Sequence, residues 1–404
     1  MARADRTLRL GIIGLGQAAA MILDEIKAIP GLPWRVTAAA DPREHARAAF
    51  EAEYGGNAYA AADDLCRLAE VDAVYITSPS WMHLEHTLSA ARTGRHIICE
   101  KPLALSLADC KQMVEAARQA GVILLAGHTH SFDAPVVKLA ELVASGAYGG
   151  LRTINAWNYN EFNHRPRLIS ELEATHGPVL NQGPHHVDII RQIGGGLVRS
   201  VRATTIPDCV TGVEGGYVCY LQFENGVPAT MVYDGRGLFD TAELFGWVGE
   251  GGDKRDPAVN HRNRAEFSRV MGLPQAERDR FLDSGKEAGR YGADKRRVLH
   301  NAHKGEAPNQ PFFGLIVASC DHAALRQSSD GLYLYGKNGR EELPVARSLG
   351  GRAAELQELS DSILHGVKPF HDGAWGLATL EVCFAILESA RTVKEIEMSL
   401  QVAC

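Results

Sequence analysis

The chain has 404 residues, of which 45% are hydrophobic and 23% charged, a composition typical of globular proteins. Its 42 basic and 49 acidic residues give a formal charge of -7, so no nucleic-acid partner is expected. We recognise no apolar stretch near the roughly 20 residues of a bilayer span, and the eight scattered cysteines form no Cys-x-x-Cys pair. These features exclude a membrane partner and favour a cytoplasmic protein with reduced thiols.

Residues 1–148 alternate short β-rich runs with helical patterns. The strand-like runs are LRLGIIG, WRVTAAAD, DAVYITS, HIICE and VILLAGH. Helices are predicted from Gln17, Pro42, Trp81 and Ser106, and a last helix is predicted to end near Gly146. The alternation predicts right-handed βαβ crossovers and therefore a Rossmann domain with a doubly wound parallel sheet.

Residues 149–404 have a different pattern, in which strands follow one another directly. The runs RTINAWNYN, VRSVRATT, GGYVCYLQF and VPATMVYDG are interrupted by helix only around 183–193. This predicts a C-terminal α+β domain for substrate binding and oligomerisation, built on a large, open, mostly antiparallel sheet. A polar insertion at about 249–311 is interpreted as a solvated loop or lid, with anion binding as the alternative, and helices are predicted at about 352–398.

The first strand ends in a glycine-rich turn that leads into a helix. Gly11, Gly14 and Gly16 precede a small residue, Ala19, at the last position of a dinucleotide-binding fingerprint. Glycines let the backbone approach a pyrophosphate, which the helix N-terminus stabilises. We therefore predict that this turn binds the cofactor, together with its residues Gln17 and Ala18.

The second strand ends at Asp41, which could accept hydrogen bonds from both ribose hydroxyls of NAD. A carboxylate here repels a 2′-phosphate, whereas nearby Arg43 would attract one. NAD is therefore the favoured cofactor, and NADP remains possible. The structural alternative for Asp41 is a helix N-cap before Pro42.

Lys101 stands at the carboxyl end of the strand HIICE, in the sequence Glu-Lys-Pro. The proline ends the strand ladder, so an ammonium is placed at the edge where α/β folds keep their chemistry. A surface lysine before a helix is the structural alternative.

Three motifs in this order, the GxGxxA turn, TSPSWMHLEH and CEKPLALS, resemble those of the Gfo/Idh/MocA (glucose-fructose oxidoreductase, inositol dehydrogenase) family. The resemblance implies that Lys101 touches both nicotinamide and substrate. It also implies that Ser78, Pro79, His83 and Glu100 belong to the cofactor cleft, and that the protein is a homodimer or homotetramer.

A second family signature is an Asp followed four residues later by a His. The chain reads NQGPHH here, so His185 takes the position of the catalytic histidine and Asn181 stands where many members carry Asp. An amide cannot hold an imidazolium by charge, so proton transfer falls on Lys101 or on His185 alone.

Longer stretches, among them EFNHRPRLISELEATHGPVL and AGHTHSFDAP, resemble the phthalate cis-dihydrodiol dehydrogenase-like branch. A substrate with ring carboxylates would need fork-shaped cations, and Arg165 and Arg167 flank Pro166. His128 and His130 are further substrate-binding candidates, with a hinge or capping role as the alternative. Asn160, with Asn158 and Asn163, would suit hydroxyl recognition instead.

The predicted function is NAD(P)-dependent dehydrogenation of a small cyclic alcohol, most specifically a carboxylated cis-dihydrodiol, with Lys101 and His185 as catalytic residues and no metal. The alternatives are a sugar or polyol dehydrogenase, an enzyme with tightly bound NAD that is recycled internally, and a non-catalytic NAD-bound sensor. The glycine turn and Lys101 are both present, which disfavours the sensor.

Overall fold

The computed structural model describes residues 6–29, 31–165, 167–293 and 307–404, which form two compact units. The first unit comprises the described residues of Met1–Thr129, Ser284–Gly305 and Gly351–Leu377. The second comprises those of His130–Asp283, Glu306–Gly350 and Ala378–Cys404.

The strands form two sheets. In chain order they are β1 Leu8–Ile13, β2 Trp34–Ala40, β3 Asn57–Tyr59, β4 Ala73–Ile76, β5 His96–Glu100, β6 Leu124–Gly127, β7 Leu151–Tyr159, β8 Val198–Pro207, β9 Glu214–Phe223, β10 Pro228–Asp234, β11 Leu315–Cys320, β12 Ala324–Gln327, β13 Gly331–Gly336, β14 Gly339–Pro344 and β15 Ile396–Glu397.

The helices lie between and after these strands. They are α1 Gln17–Ala28, α2 Glu44–Tyr54, α3 Ala62–Leu68, α4 His83–Arg92, α5 Leu107–Ala120, α6 Ala134–Ala144, α7 Ile169–Ala174, α8 Pro178–Asn181, α9 Gly183–Gly194, α10 Val259–Met271, α11 Gln275–Ala288, α12 Gly351–His365 and α13 Gly373–Thr392.

The first unit is built on a six-stranded parallel sheet with the order β3-β2-β1-β4-β5-β6. Every residue of β4 is buried, which matches a sheet covered on both faces. The strand order reverses between β1 and β4, and the carboxyl ends of strands at such a reversal are where α/β sheets bind ligands. The predicted doubly wound Rossmann sheet is confirmed.

Local sequence explains where the helices of this unit begin and end. The hydroxyl of Ser106 accepts a hydrogen bond from the Asp109 N–H at 3.0 Å and starts α5. Gly121 ends α5 in the left-handed conformation, with φ +66. In α12, the Leu356 carbonyl accepts a hydrogen bond from the Trp34 indole at 2.8 Å, which ties this late helix to β2.

The second unit is built on a nine-stranded sheet with the order β14-β13-β12-β11-β7-β10-β9-β8-β15, in which only the β10–β7 pair is parallel. Burial alternates along β10, so one face of the sheet is covered and the other is open. Helix α9 is almost wholly buried on the covered side. The predicted open and mostly antiparallel sheet is confirmed.

The polar insertion differs from the solvated loop that its composition suggested. Residues 259–271 and 275–288 are helices, α10 and α11, and they bury Phe267, Val270 and Leu282. These few apolar contacts anchor otherwise polar helices, which is why the sequence pattern is weak. Within the predicted loop, residues 294–306 lie outside the described residues.

Helix α13 has the length and apolar composition of a membrane span, contrary to our expectation that no such stretch exists. However, 72% of the apolar window is buried inside the protein, as in the core helix of a soluble protein.

Candidate functional site

The glycine turn after β1 leaves the first turn of α1 open to a ligand. Gly14 has φ +93, and a Cβ there would lie 2.8 Å from the Ser78 backbone, so only glycine fits. At Gly16 the nearest atom to an added Cβ is the Thr77 carbonyl oxygen, at 3.8 Å. Among the described residues no side chain caps α1, and its first turn carries no acidic residue. This N-terminus fits a pyrophosphate.

The other predicted residues of the turn differ in their surroundings. Gly11 lies within β1. A Cβ added there would lie 2.9 Å from the Leu65 side chain, so core packing requires a glycine at this position. Gln17 donates a hydrogen bond from Nε2 to the Lys286 carbonyl at 3.3 Å. Ala18 is half-buried in the first turn of α1.

Asp41 lies at the end of β2 with 6% of its surface exposed, and its carboxylate is already well coordinated. One oxygen accepts the Leu15 N–H at 2.7 Å, and Arg43 donates from Nε to the other at 2.9 Å. Arg43 also donates to Glu287 at 3.1 Å. The N-cap of α2 is Arg43 and not Asp41, so the capping alternative for Asp41 is wrong. The Asp41 carboxylate at the end of β2 repels a 2′-phosphate, which favours NAD over NADP.

His83 braces two loops of the first unit. Its Nδ1 lies 2.9 Å from the Pro102 carbonyl oxygen, and its Nε2 lies 3.0 Å from that of Ser78. The ring is buried, and burial lowers its pKa, so the neutral imidazole donates to one of these two carbonyls. Pro79 follows Ser78 and is the N-cap of a short 3-10 turn. His83 therefore fixes the loop that carries Lys101 relative to Ser78.

Lys101 follows β5 and is half-buried, next to a buried carboxylate, Glu100. Arg352 donates to Glu100 from Nε at 3.0 Å and from Nη2 at 2.8 Å. Burial raises the pKa of Glu100, but the cations of Arg352 and Lys101 lower it by more, so that it lies below the usual glutamate value. Glu100 thus stays ionised beside Lys101, and its Oε1 accepts both hydrogen bonds from Arg352.

In the second unit, His185 belongs to a group of aromatic rings. The ring of His130 meets His185 edge-on, with centroids 4.9 Å apart, and stacks on Phe313 at 4.4 Å. Asp133 holds His130 through Oδ2, 3.0 Å from Nδ1. The structure thus brings two of the predicted residues together and adds Asp133 and Phe313, which sequence reasoning missed. His128 is buried at the end of β6 in the first unit.

The two predicted arginines differ sharply. Arg165 lies 3.2 Å from Glu250 and 3.4 Å from Glu161. Burial raises the pKa of Glu161, but Arg165 and Arg255 lower it to about 2, so this network is fully charged and paired. Arg167 lies over the Phe162 ring, 4.2 Å from its centroid.

Arg167 is a further cation beside this network of ion pairs. Among the described residues its buried Nη1 has no hydrogen-bond partner. Burial and then Arg165 lower the pKa of Arg167 to about 10, so it remains a cation at neutral pH. It is therefore the better candidate for an anionic ligand.

The predicted asparagines make internal hydrogen bonds. Asn158 donates to the Phe313 carbonyl at 3.0 Å, and Asn160 donates to Asn158 and to Tyr233, both at 2.9 Å. Asn163 donates to the Gly215 carbonyl at 3.1 Å. All three are buried, so hydroxyl recognition would require breaking these bonds. Asn181 ends α8 and accepts a hydrogen bond from Gln182 at 2.9 Å.

Comparisons with known proteins agree with this geometry. Residues 8–128 match the model of an oxidoreductase family with an NAD-binding Rossmann fold, and residues 136–237 match a Gfo/Idh/MocA C-terminal domain. The 1-carboxy-3-chloro-3,4-dihydroxycyclohexa-1,5-diene dehydrogenase of Comamonas testosteroni is 30% identical over 389 residues, which cover 95% of each chain. The chain belongs to the Gfo/Idh/MocA family.

Two further relatives bear on this Gfo/Idh/MocA protein. A crystal structure from Bordetella bronchiseptica RB50, assigned as a dehydrogenase, is 34% identical with a TM-score of 0.86, covering 97% of this chain and 100% of that one. The myo-inositol 2-dehydrogenase of Thermotoga maritima is 29% identical over 60% of this chain and 74% of its own. The Gfo/Idh/MocA protein is an NAD-dependent oxidoreductase.

Proposed function

We propose that this protein oxidises a carboxylated cyclic cis-dihydrodiol to the aromatic diol. The observation that carries the substrate class is Arg167, a half-buried cation whose buried Nη1 has no hydrogen-bond partner among the described residues. A buried N–H group without a partner is costly unless a ligand accepts its hydrogen bond. The named substrate of the Comamonas testosteroni relative is also a carboxylated dihydroxycyclohexadiene, which supports the same class.

Each group of the proposed site has one task. NAD, when bound, supplies the hydride acceptor. The open N-terminus of α1 and Gly16 bind its pyrophosphate, and Asp41 with Arg43 receives the ribose. Lys101 takes the hydroxyl proton, and His185 hydrogen-bonds the oxygen of the reacting alcohol. Arg167 pairs with the ring carboxylate, while Arg165 keeps its partners Glu161 and Glu250.

A sugar or polyol substrate is the second candidate because of the myo-inositol relative. The described residues provide fewer groups for binding such a substrate, since Asn158, Asn160 and Asn163 form hydrogen bonds within the protein. Binding several hydroxyls needs free donors and acceptors, which these three amides do not provide.

The substrate class is tested with two dihydrodiols that differ only in the ring carboxylate, assayed on the wild type and on Arg167→Met. For the carboxylated diol we expect kcat/KM to fall about 10- to 100-fold in the variant, the scale of one charge-assisted hydrogen-bonded pair. For the uncharged diol it should change little. Arg326→Met is the matched control, because Arg326 also lies over an aromatic ring, 4.6 Å from Tyr333.

Equal losses for both diols in Arg167→Met would contradict carboxylate recognition. Turnover of sugars or inositols alone would move the substrate to the polyol class and leave the family assignment standing.

We also infer that the protein is a homodimer or homotetramer. The open face of the nine-stranded sheet exposes Trp157 (46%), Val218 (42%), Tyr220 (40%) and Tyr335 (37%). An apolar face of this kind marks an interaction surface. Light scattering coupled to size exclusion should give a multiple of the 43.8 kDa chain mass, and a monomer at micromolar concentration would contradict the inference.

A further inference from the structure

A short part of the insertion, residues 284–293, belongs to the first unit and packs on its helix α2. Tyr291 is 2% exposed within the hydrophobic core of that unit, and its hydroxyl donates a hydrogen bond to Glu53 of α2. The next residue, Gly292, has φ +79, and a Cβ there would lie 3.0 Å from Ala46 Cα. Residues 284–293 are therefore anchored on the helix that follows Asp41.

The same segment contacts the start of α1, where the cofactor pyrophosphate is expected. Gln17 is the first residue of α1, and its Nε2 donates a hydrogen bond to the Lys286 carbonyl at 3.3 Å. Gly289 is buried, and a Cβ there would lie 2.3 Å from that Nε2 atom. The absence of a side chain at 289 thus lets the segment approach the first turn of α1 closely.

Glu287, which lies on this segment, binds the cation beside Asp41. Its Oε1 accepts a hydrogen bond from Arg43 Nη1 at 3.1 Å. Arg43 also donates from Nε to Asp41 at 2.9 Å and from Nη2 to the Leu15 carbonyl at 2.5 Å. Each of the three guanidinium nitrogens of Arg43 therefore makes a hydrogen bond within the protein, and only 19% of its side chain is exposed.

Other charged groups lie around Glu287 and Asp41. Arg290 donates a hydrogen bond to Glu287, and His45 Nε2 lies 3.7 Å from Glu287 Oε1. Arg47 donates to the backbone carbonyls of Asp41 and Pro42. Burial raises the pKa of Glu287, but Arg290 and then Arg43 lower it by more, so this carboxyl is ionised at neutral pH.

This arrangement decides what a 2′-phosphate would meet at the end of β2. Arg43 is the cation that directly follows the β2 carboxylate, and a phosphate could pair with it only by displacing Asp41 and Glu287. Both carboxylates also repel a phosphate. A ribose with a free 2′-hydroxyl meets neither obstacle, because it requires only a hydrogen-bond acceptor.

We propose that residues 284–293 are part of the cofactor site and that Glu287 is a positioning residue for Arg43 which sets cofactor specificity. Glu287 holds the guanidinium of Arg43 away from a 2′-phosphate, so the protein selects the dinucleotide that lacks this phosphate. The inference concerns only the cofactor, so its test needs no substrate and is independent of the proposed dihydrodiol oxidation.

The first test is titration of the full chain with NADH and with NADPH, followed by nicotinamide fluorescence. The wild type should bind NADH at least about 10-fold more tightly than NADPH. In Glu287→Gln the affinity for NADPH should rise about three- to five-fold, the scale of one partly exposed ion pair, while the affinity for NADH changes less than about two-fold. A merely structural role of Glu287 would change both affinities together.

The action through Arg43 is tested by repeating the substitution in Arg43→Met. In that background Glu287→Gln should no longer raise the affinity for NADPH, because no guanidinium remains to be released. An equal rise in both backgrounds, or no rise in either, would overturn the proposal. Wild-type protein that binds NADPH as tightly as NADH would overturn it as well.

The matched control is Glu115→Gln on α5. Glu115 is paired with Arg118 at i, i+3, as Glu287 is with Arg290, and its side chain is 48% exposed, compared with 43% for Glu287. This variant removes a similar exposed ion pair from the same unit. It should leave the affinities for NADH and NADPH unchanged, and a rise in NADPH affinity here would contradict a specific role of Glu287.

The role of the segment is tested by Gly292→Val. The new side chain would meet the backbone of Ala46 and would be strained at φ +79, so the segment should leave its position on α2. The affinity for NADPH should then rise about as much as in Glu287→Gln. An unchanged affinity would overturn the assignment of this segment to the cofactor site. If Gly292→Val does not fold, Gly289→Leu decides in the same way, since its side chain would displace Gln17.

Discussion

Arg352 is the cation of a buried cluster of charged groups in the first unit. Replacing it tests directly whether this cluster stabilises the segment that carries Lys101. It bonds Glu100 through two nitrogens, at 2.8 and 3.0 Å. Glu355, one turn along α12, accepts a hydrogen bond from the Tyr75 hydroxyl. Glu25 from α1 also interacts electrostatically with Arg352. Three carboxyl groups thus surround one guanidinium, so they cannot all be ionised at low cost.

The pKa values of the three carboxyl groups shift in different directions. The pKa of Glu100 is lowered, because Arg352 and Lys101 outweigh its burial. The pKa of Glu355 is raised well above its usual value by burial and by the charge of Glu100, so Glu355 keeps its proton to higher pH than in the unfolded chain. Burial likewise raises the pKa of Glu25.

Arg352→Met removes the partner of an ionised, buried carboxylate. Breaking such a pair costs about 3–5 kcal/mol of unfolding free energy at neutral pH. Because Glu100 has a lowered pKa in the folded wild type, its stabilising contribution is present above the unfolded pKa near 4.5 and is lost as pH falls through the lowered value. In the variant, Arg352 no longer offsets the burial of Glu100, so the pKa of Glu100 rises and the penalty should shrink as pH falls and Glu100 takes up a proton.

Two substitutions of the same chemistry should then differ. Glu100→Gln leaves Arg352 without its anion and should destabilise by about 2–4 kcal/mol. Glu355→Gln replaces a group that already holds a proton above the unfolded pKa, so its stability at neutral pH should be unchanged or higher. Urea unfolding at pH 5, 6, 7 and 8 measures all three variants. Equal losses for Glu100→Gln and Glu355→Gln, or an Arg352→Met penalty independent of pH, would refute the reasoning.

Three further predictions concern the cofactor-binding residues. Asp41→Asn should lower the ratio of kcat/KM for NAD over NADP by about 10-fold or more, and Glu287→Gln by less, in steady-state assays with each cofactor. His83→Gln should lower kcat about 10-fold, because the Lys101 loop loses its contact with His83; an unchanged kcat would contradict this. Gly14→Ala should abolish NAD binding in calorimetry, because its Cβ has no space and φ is +93; retained affinity would contradict the close approach.

The sequence predicted the fold wherever the signal was local. The β1 turn and the start of α1 at Gln17 follow from hydrophobic runs and glycines, and they are found as predicted. Strand β3 was missed because it has only three residues and follows two glycines. Helices α10 and α11 were missed because they bury so few apolar residues that no periodicity stands out.

The site was predicted less completely, because partners distant in sequence decide its charges. Arg165 looked like a ligand for a carboxylate until Glu250, 85 residues away, proved to neutralise it. Glu100 is paired with Arg352 across 252 residues, and no local pattern indicates that contact. The Asp133–His130 pair, by contrast, spans three residues, and its i, i+3 spacing could have been read from the chain.

The central claim is that this Gfo/Idh/MocA protein is an NAD-dependent dehydrogenase in which Lys101 takes the hydroxyl proton. The most direct measurement compares NAD reduction by the wild type and Lys101→Met with a carboxylated cis-dihydrodiol, alongside NAD binding by calorimetry. Lys111→Met, an exposed lysine on α5, is the matched control. We predict at least ~100-fold lower turnover in Lys101→Met with NAD affinity retained, the scale of a lost positioned base. Turnover within a few-fold of wild type would contradict the account.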